Sequence, residues 1–259
     1  MKEKFLFFDF DGTLAKGGVV SPRVMEALKK AKAKGHKIIL CTGRAYGYLL
    51  PVMFKMGFDG ICAGLGANVK FGGKTVFFKA IERQNIYNCV SLLLENGYGG
   101  VLGGSRDRYV FGTPGNYPDP EAWALTDDMK RYSDIEEIME IYDADPFEKI
   151  SVLKPLPRCL FDRMVSENLF GVMQPTYCEF APKGCTKQSG IEKIIEYCGV
   201  DKADTVAFGD SNNDTDMFMA VSKKIAMGNS TKELLEFADE VTDSVENDGV
   251  AVWIENNLL

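Results

Sequence analysis

An apolar run, Phe5-Leu6-Phe7-Phe8, breaks off into Asp9-Phe10-Asp11-Gly12-Thr13 and is followed by an amphipathic helix and a second apolar run. That succession constrains the fold more than any other feature of the chain. Ser21-Pro22 reads as an N-cap with proline in the first turn. Val24, Ala27, Leu28 and Ala31 then recur at helical spacing until Gly35 stops the helix. Lys37-Ile38-Ile39-Leu40-Cys41 is a short buried strand, and strand, helix, strand in that order predicts a right-handed crossover onto a parallel sheet. The pattern returns late in the chain. Ile191, Ile194, Ile195 and Cys198 line one helix face, Gly199 ends it, and Thr205-Val206-Ala207-Phe208 is a strand. A helix near Asp214 to Val221 and a short strand at Lys224-Ile225-Ala226-Met227 complete a second half of the same α/β type.

Between these halves the pattern changes. From about Ile81 to Phe180 the chain carries longer strand-like runs (Asp107 to Phe111, Lys149 to Leu153), amphipathic helices (Ile86 to Glu95, Ile135 to Tyr142) and several prolines. The expected organisation is therefore a first core part over 1–80, an inserted α+β domain over 81–180 and a second core part over 181–259. The junctions fall near Lys79-Ala80-Ile81 and Phe180-Ala181-Pro182, where two chain crossings can act as hinges.

Composition narrows the partners. A formal charge of −7 and a pI near 5.0 disfavour a nucleic-acid or anionic-membrane binder, so any anionic ligand must meet a local positive site. Lys2 and Lys4 precede an apolar run that Asp9 and Asp11 cut short, which is not the form of a signal peptide, and no segment approaches membrane-spanning length. The seven cysteines are scattered without a Cys-x-x-Cys pair and read as reduced, mostly core thiols of a cytoplasmic protein.

In open α/β sheets ligands bind at the carboxyl ends of the strands, so the polar residues there are the ones to collect. Along an extended chain Asp9 and Asp11 point the same way while Phe10 stays buried. Gly12 permits a sharp turn, and the Thr13 hydroxyl can fix it. Two carboxylates so close persist more readily if a cation neutralises them or one holds a proton. An Asp-Gly hairpin turn is the plain alternative. Thr42-Gly43-Arg44 follows the second strand, Gly209-Asp210-Ser211-Asn212-Asn213-Asp214 follows the strand ending at Phe208, and Lys183-Gly184-Cys185-Thr186-Lys187 precedes the helix of Ile191. Each has an ordinary reading: a strand-to-helix turn, a calcium-type loop without the acids and glycine of an EF-hand, a solvated first-turn lysine. Together they meet the needs of phosphoryl transfer, which are charge neutralisation and in-line positioning. A hard divalent cation on Asp9 and Asp210, completed by waters and phosphate oxygens, suits magnesium. The Thr42 hydroxyl, the Gly43 amide and the Lys187 ammonium can take the remaining phosphate oxygens.

These motifs, in this order, resemble the haloacid dehalogenase (HAD) superfamily of aspartate-nucleophile phosphatases. More narrowly they resemble its Cof-type branch, to which Lys183-Gly184 and Asp248-Gly249-Val250 are also similar. The resemblance implies a Rossmann-like (HAD-like) α/β core with a parallel sheet, helices on both faces and an inserted α+β cap. It implies that Asp9 is the nucleophile, and that Asp11 protonates the leaving alcohol and then deprotonates the hydrolytic water. Asp11 would also lend its backbone carbonyl to magnesium and Asp210 a carboxylate. Asn213 and Asp214 would support the metal and phosphate positions. One departure is Leu65-Gly66-Ala67, where many relatives carry Asn-Gly-Ala.

The expected activity is magnesium-dependent hydrolysis of a small phosphorylated metabolite, a sugar phosphate before a coenzyme phosphate such as FMN or pyridoxal phosphate. A sugar phosphomutase on the same fold is the near alternative, and a phospho-receiver module the remote one, since receivers are shorter and carry an adjacent acidic pair. No cysteine has the arginine spacing of a Cys-x5-Arg loop. His36, the one histidine, follows a helix-ending glycine and reads as a surface residue. Gly72-Gly73-Lys74-Thr75 lacks the glycine that a P-loop needs, Asn68 standing in its place, and the Gly97–Gly104 cluster fails Gly-x-Gly-x-x-Gly. Within the insertion, Arg106, Arg108, Tyr109, Tyr117 and Trp123 are polar or aromatic candidates for substrate contact that read equally well as ordinary surface.

Overall fold

A computed structural model describes residues 2–118, 129–166 and 168–259; Trp123 lies outside the described residues. The chain forms two compact units. The first comprises Met1–Gly43, Leu49–Phe78 and Thr186–Leu259, and the second Arg44–Tyr48 and Lys79–Cys185.

The first unit is built on an eight-stranded sheet. Its strands are β1 (Phe5–Phe8), β2 (Lys37–Cys41), β3 (Gly60–Ala63), β4 (Asn68–Phe71), β5 (Lys74–Phe78), β6 (Thr205–Gly209), β7 (Lys223–Ala226) and β8 (Glu240–Val241). The order across the sheet is β8-β7-β6-β1-β2-β3-β4-β5. All neighbours run parallel except β3/β4 and β4/β5. Helices α1 (Pro22–Ala33), α2 (Lys187–Cys198), α3 (Thr215–Ala220) and α4 (Gly249–Asn257) cover it. β1 is buried on both faces, as a central parallel strand must be. Phe5 and Phe7 pack with Ile191, Ile194, Met217 and Phe218 of α2 and α3, while Phe8 stacks on Phe208, whose ring meets Trp253 of α4 edge-on.

The helix ends follow their sequence signals. Ser21 accepts the Val24 amide at the start of α1, and Gly199 closes α2 in the left-handed conformation. His36 departs from expectation. It is 1 % exposed, not on the surface, because the Lys4 amide donates to its Nδ1 at 3.0 Å and draws the N-terminal segment across it. Burial lowers its pKa.

The second unit has its own six-stranded sheet, ordered Arg131–Tyr132, Arg108–Phe111, Gly100–Gly103, Lys149–Val152, Cys178–Pro182, Leu169–Met173. Helices Arg83–Glu95, Ile135–Ala144 and Arg158–Ser166 bury a core that includes Ile86, Leu93, Ile150 and Phe180. Alternation along Lys149–Val152 sends Ile150 and Val152 into that core and turns Lys149 the other way, into a buried ion pair with Glu179. The segment Arg44–Tyr48 is tied into this unit by the Tyr46 amide on Glu148 Oε1 and the Gly47 amide on the Gly104 carbonyl. Among the described residues no helix is long and apolar enough to cross a membrane.

Candidate active site

Asp9 follows β1 directly, and its amide donates to the Phe208 carbonyl at 3.0 Å, carrying the β1–β6 pairing one residue past the strand. Asp210 follows β6. The parallel register Phe8↔Phe208 therefore brings to one edge two carboxylates from opposite ends of the chain. Lys187 opens α2 behind the N-cap Thr186, which exchanges hydrogen bonds with Ser189 in a capping box. The lysine side chain is 1 % exposed, the reverse of a solvated first-turn lysine. Its Nζ donates to Asp9 Oδ1 at 2.5 Å and to Asp214 Oδ1 at 2.7 Å. Asp214 Oδ2 accepts the amides of Asp210 and Ser211 at 2.9 and 3.1 Å, so both its oxygens are engaged. Thr13 Oγ1 donates to Asp210 Oδ1 at 3.0 Å. Asp9, Asp210 and Asp214 each offer an oxygen within 4.8 Å of the others.

Three carboxylates facing one ammonium leave two negative charges uncompensated in a largely buried place. Burial pushes the Asp9 carboxyl well above the usual range, against the pull of Lys187, and Asp214 and Asp210 push the same way. Asp210 is raised to about 6, by burial first and then by Asp214. For Lys187 burial works against the charge, but Asp214 and Asp9 outweigh it and raise its pKa.

Asp11 is not one of these three grouped acids, although its charge also raises Asp210. The strand ends at Phe8, and the Phe10 carbonyl accepts the amides of Thr13, Leu14 and Ala15, so the extended alternation stops before Asp11. Asp11 is exposed while Phe10 is fully buried. Gly12 turns with φ +92°, and a Cβ there would lie 2.3 Å from Asp210 Oδ2, so only glycine lets the turn come so close to Asp210. Thr42 is buried just past β2, its amide on the Cys62 carbonyl at 2.9 Å, with Gly43 half-buried beside it. Both stand at the carboxyl end of the strand next to β1. Asn213 sits in the short turn Asn212–Asp214, where its Oδ1 accepts from Ser211 Oγ at 2.8 Å.

The Leu65 departure has a structural setting. Leu65 takes φ 55°, ψ 38°, the left-handed conformation that Asn tolerates and other L-residues enter at about 1–2 kcal/mol. Its side chain is 4 % exposed, and burial worth about 1.5–3 kcal/mol offsets that strain. Beside it Gly66, at φ +86°, lies so close to the Thr186 carbonyl that a Cβ would reach 2.1 Å from its oxygen. The turn thus rests on the residue that caps the Lys187 helix.

The sequence reading passed over one segment at the site, Met227 to Thr231. It leaves β7 and folds back under the others. The Met227 amide and Ser230 Oγ donate to the Gly209 carbonyl at 3.0 and 3.3 Å, and the Thr231 amide to the Asp210 carbonyl at 2.9 Å. Thr231 Oγ1 donates to Asn212 Oδ1 at 2.6 Å, and Asn229 Nδ2 to the Gly12 carbonyl at 2.9 Å. The strand-end rule that collected Thr42 and Asp210 would have collected these residues had it been applied to Lys224–Met227.

Fold and site together define an α/β protein with a carboxylate and lysine centre at the carboxyl edge of a parallel sheet. A family model described as haloacid dehalogenase-like hydrolase matches residues 6–254, and the chain belongs to that family. It is an enzyme, a hydrolase, as the motifs implied. YkrA of Bacillus subtilis, provisionally named a phosphatase, is 27% identical over 264 residues and covers 98% of both chains. Among solved structures, BT1666 of Bacteroides thetaiotaomicron, described among phosphatases of the same superfamily, is 25% identical with a TM-score of 0.81, covering 98% of this chain and 94% of its own. A sugar phosphatase of HAD subclass IIB, BT4131, covers 98% of both chains with a TM-score of 0.81 at 23% identity, a likeness of fold.

Proposed function

We propose that this hydrolase is a magnesium-dependent phosphatase that cleaves a small phosphorylated metabolite through an aspartyl phosphate on Asp9. The observation that carries the reading is the Lys187 ammonium held at 2.5 and 2.7 Å between Asp9 and Asp214, with Asp210 in the same cluster. A lysine buried for core packing alone would not gather three acids at a sheet edge where ligands bind.

The donor set fits magnesium. Asp9 and Asp210 supply hard carboxylate oxygens, few enough for an ion that keeps waters and takes phosphate oxygens, and two uncompensated negative charges match its charge. Asp214, engaged through both oxygens, supports the site without being a ligand. When bound, the cation supplies positive charge to the phosphate and to the attacking carboxylate.

In the proposed sequence an Asp9 oxygen forms a bond to phosphorus as the ester oxygen departs with a proton from Asp11. Asp11 then takes a proton from water as that water attacks phosphorus, freeing inorganic phosphate and Asp9. Lys187, the Thr42 hydroxyl and the Gly43 amide hold the non-bridging oxygens, with Asn213 at the rim, and Thr13 keeps Asp210 in place. Sugar phosphates are the first class to try, being the class named for BT4131.

The test is phosphate release from a panel of phosphorylated metabolites with magnesium and with a chelator. Metal-dependent release that Asp9→Asn abolishes and Asp11→Asn severely lowers is the expected result. Release untouched by chelator removes the metal assignment. Robust turnover by Asp9→Asn, with deamidation excluded, removes the nucleophile.

A further inference from the structure

Two turns bring the acids together beyond the ends of β1 and β6, joined directly by the Thr13 hydroxyl on Asp210 Oδ1 at 3.0 Å. One is the Gly12 turn, the other the loop Gly209–Asp214. Both sides carry carboxylates, so repulsion tends to open the gap between them. The neutral segment Asn229–Thr231 spans it. Asn229 fixes the Gly12 side, donating Nδ2 to the Gly12 carbonyl at 2.9 Å while its Oδ1 accepts the Val245 amide at 2.8 Å. The two partners demand opposite ends of the amide, which sets its orientation without ambiguity. Two residues on, the Thr231 amide holds the Asp210 carbonyl and Thr231 Oγ1 holds Asn212. On the far side, the Gly12 amide donates to the Ala15 carbonyl at 2.8 Å, so both peptide planes of Gly12 are tied. Because the Gly12 backbone abuts the Asp210 carboxylate with no space for a Cβ, a shift of the turn is felt directly by that carboxylate.

We propose that Asn229 is a positioning residue that couples the Gly12 turn to the Asp210 loop and so holds Asp9 and Asp210 at the spacing a divalent cation needs. The inference rests on the magnesium reading above. The coupling is neutral, which suits the place: a cation in this role would compete with the metal, and an acid would add to the repulsion. Removing the Asn229 amide frees the Gly12 carbonyl, leaves the Thr13 hydroxyl to hold Asp210 without that second tie, and weakens metal binding without removing any ligand.

The experiment measures magnesium binding to the substrate-free enzyme by isothermal titration calorimetry, alongside metal-dependent phosphate release. For Asn229→Ala the magnesium Kd is expected to rise about tenfold, the scale seen when groups that orient metal ligands are removed. Saturating magnesium is expected to restore kcat. Val245→Pro tests the same coupling without touching Asn229, since it deletes the amide that anchors Oδ1 at a position where a turn accepts proline. It is expected to shift Kd in the same direction by less. A merely structural role would lower the thermal midpoint measured in chelator and leave Kd alone. Folded Asn229→Ala and Val245→Pro proteins with wild-type magnesium affinity overturn the inference while leaving the phosphatase reading intact. A wild-type protein that binds no magnesium and releases phosphate without metal overturns both.

Discussion

Replacing Lys187 with methionine keeps most of the side-chain volume and deletes one charge. Lys187 Nζ lies 2.5 Å from Asp9 and 2.7 Å from Asp214, and both carboxylates are buried, at 6 % and 0 % exposure. Without the ammonium, three acids face one another with no counter-charge. Breaking a buried pair by removing one partner costs about 3–5 kcal/mol, a third or more of the stability of many domains. For a chain of this size that is a fall in thermal midpoint of about 6–20 °C. The pH dependence carries the sign. In the variant Asp9 and Asp210 lose the pull of Lys187, so their already raised carboxyls titrate still further above their unfolded values; above about pH 4 the folded form keeps protons the unfolded form has lost, and stability declines more steeply with pH than in the wild type. In the wild type the raised lysine pKa contributes stability that is fully present below the ordinary lysine value of about 10.4 and is lost only above it. The deficit of Lys187→Met is therefore expected to be large at pH 8 and smaller at pH 5, by urea unfolding monitored with circular dichroism. Adding Asp214→Asn to the variant is expected to recover part of the loss at pH 8, because it removes one of the stranded charges. A deficit below about 1 kcal/mol at pH 8, or one that does not shrink at pH 5, refutes the view that Lys187 holds this cluster together.

The remaining expectations are simpler. With the Asp210 carboxyl raised to about 6, protons compete with magnesium below that pH. The magnesium Kd is expected to weaken at least about fourfold between pH 7.5 and 5.5, the Asp210 share alone, with the raised Asp9 carboxyl adding to it, and proton release on binding is seen as a dependence on buffer ionisation enthalpy; a Kd equal at both pH values counts against it. His36 has a lowered folded pKa, so its contribution is fully present above about pH 6.5 and is lost as pH falls from there toward the folded value. His36→Asn, which keeps an acceptor for the Lys4 amide, is expected to flatten stability against pH over that window, and an unchanged slope in urea titrations refutes the assignment.

How much of this was visible in the chain follows from which interactions are local. Helix α1 announces itself through Ser21, Pro22 and its apolar spacing, and α2 through Gly199, since caps and turns act within a few residues. The strands β1, β2 and β6 are apolar runs of the right length, and the rule that polar residues at their carboxyl ends form the site located Asp9, Thr42 and Asp210. What the chain hides is long-range. The order of motifs marks Lys187 as a phosphate contact, but its pairing with Asp9 from 178 residues away comes only from the sheet. The burial of His36 depends on Lys4, and the grouping of Arg44–Tyr48 with the second unit on Gly104 and Glu148; none leaves a periodic trace. Asn229 is the clearest case. A neutral, exposed amide in a short polar loop has no charge, apolar spacing or unusual backbone to mark it, and its partners Gly12 and Val245 contribute only main-chain groups. The partners of residues that act through another residue's backbone are legible only once the strand order is known, because the topology alone decides whose carbonyl they reach. Applied to every strand of the sheet, polar or not at its tip, the strand-end rule recovers the residues themselves, which makes it a rule about the edge of the sheet and not about the acids that first draw attention to it.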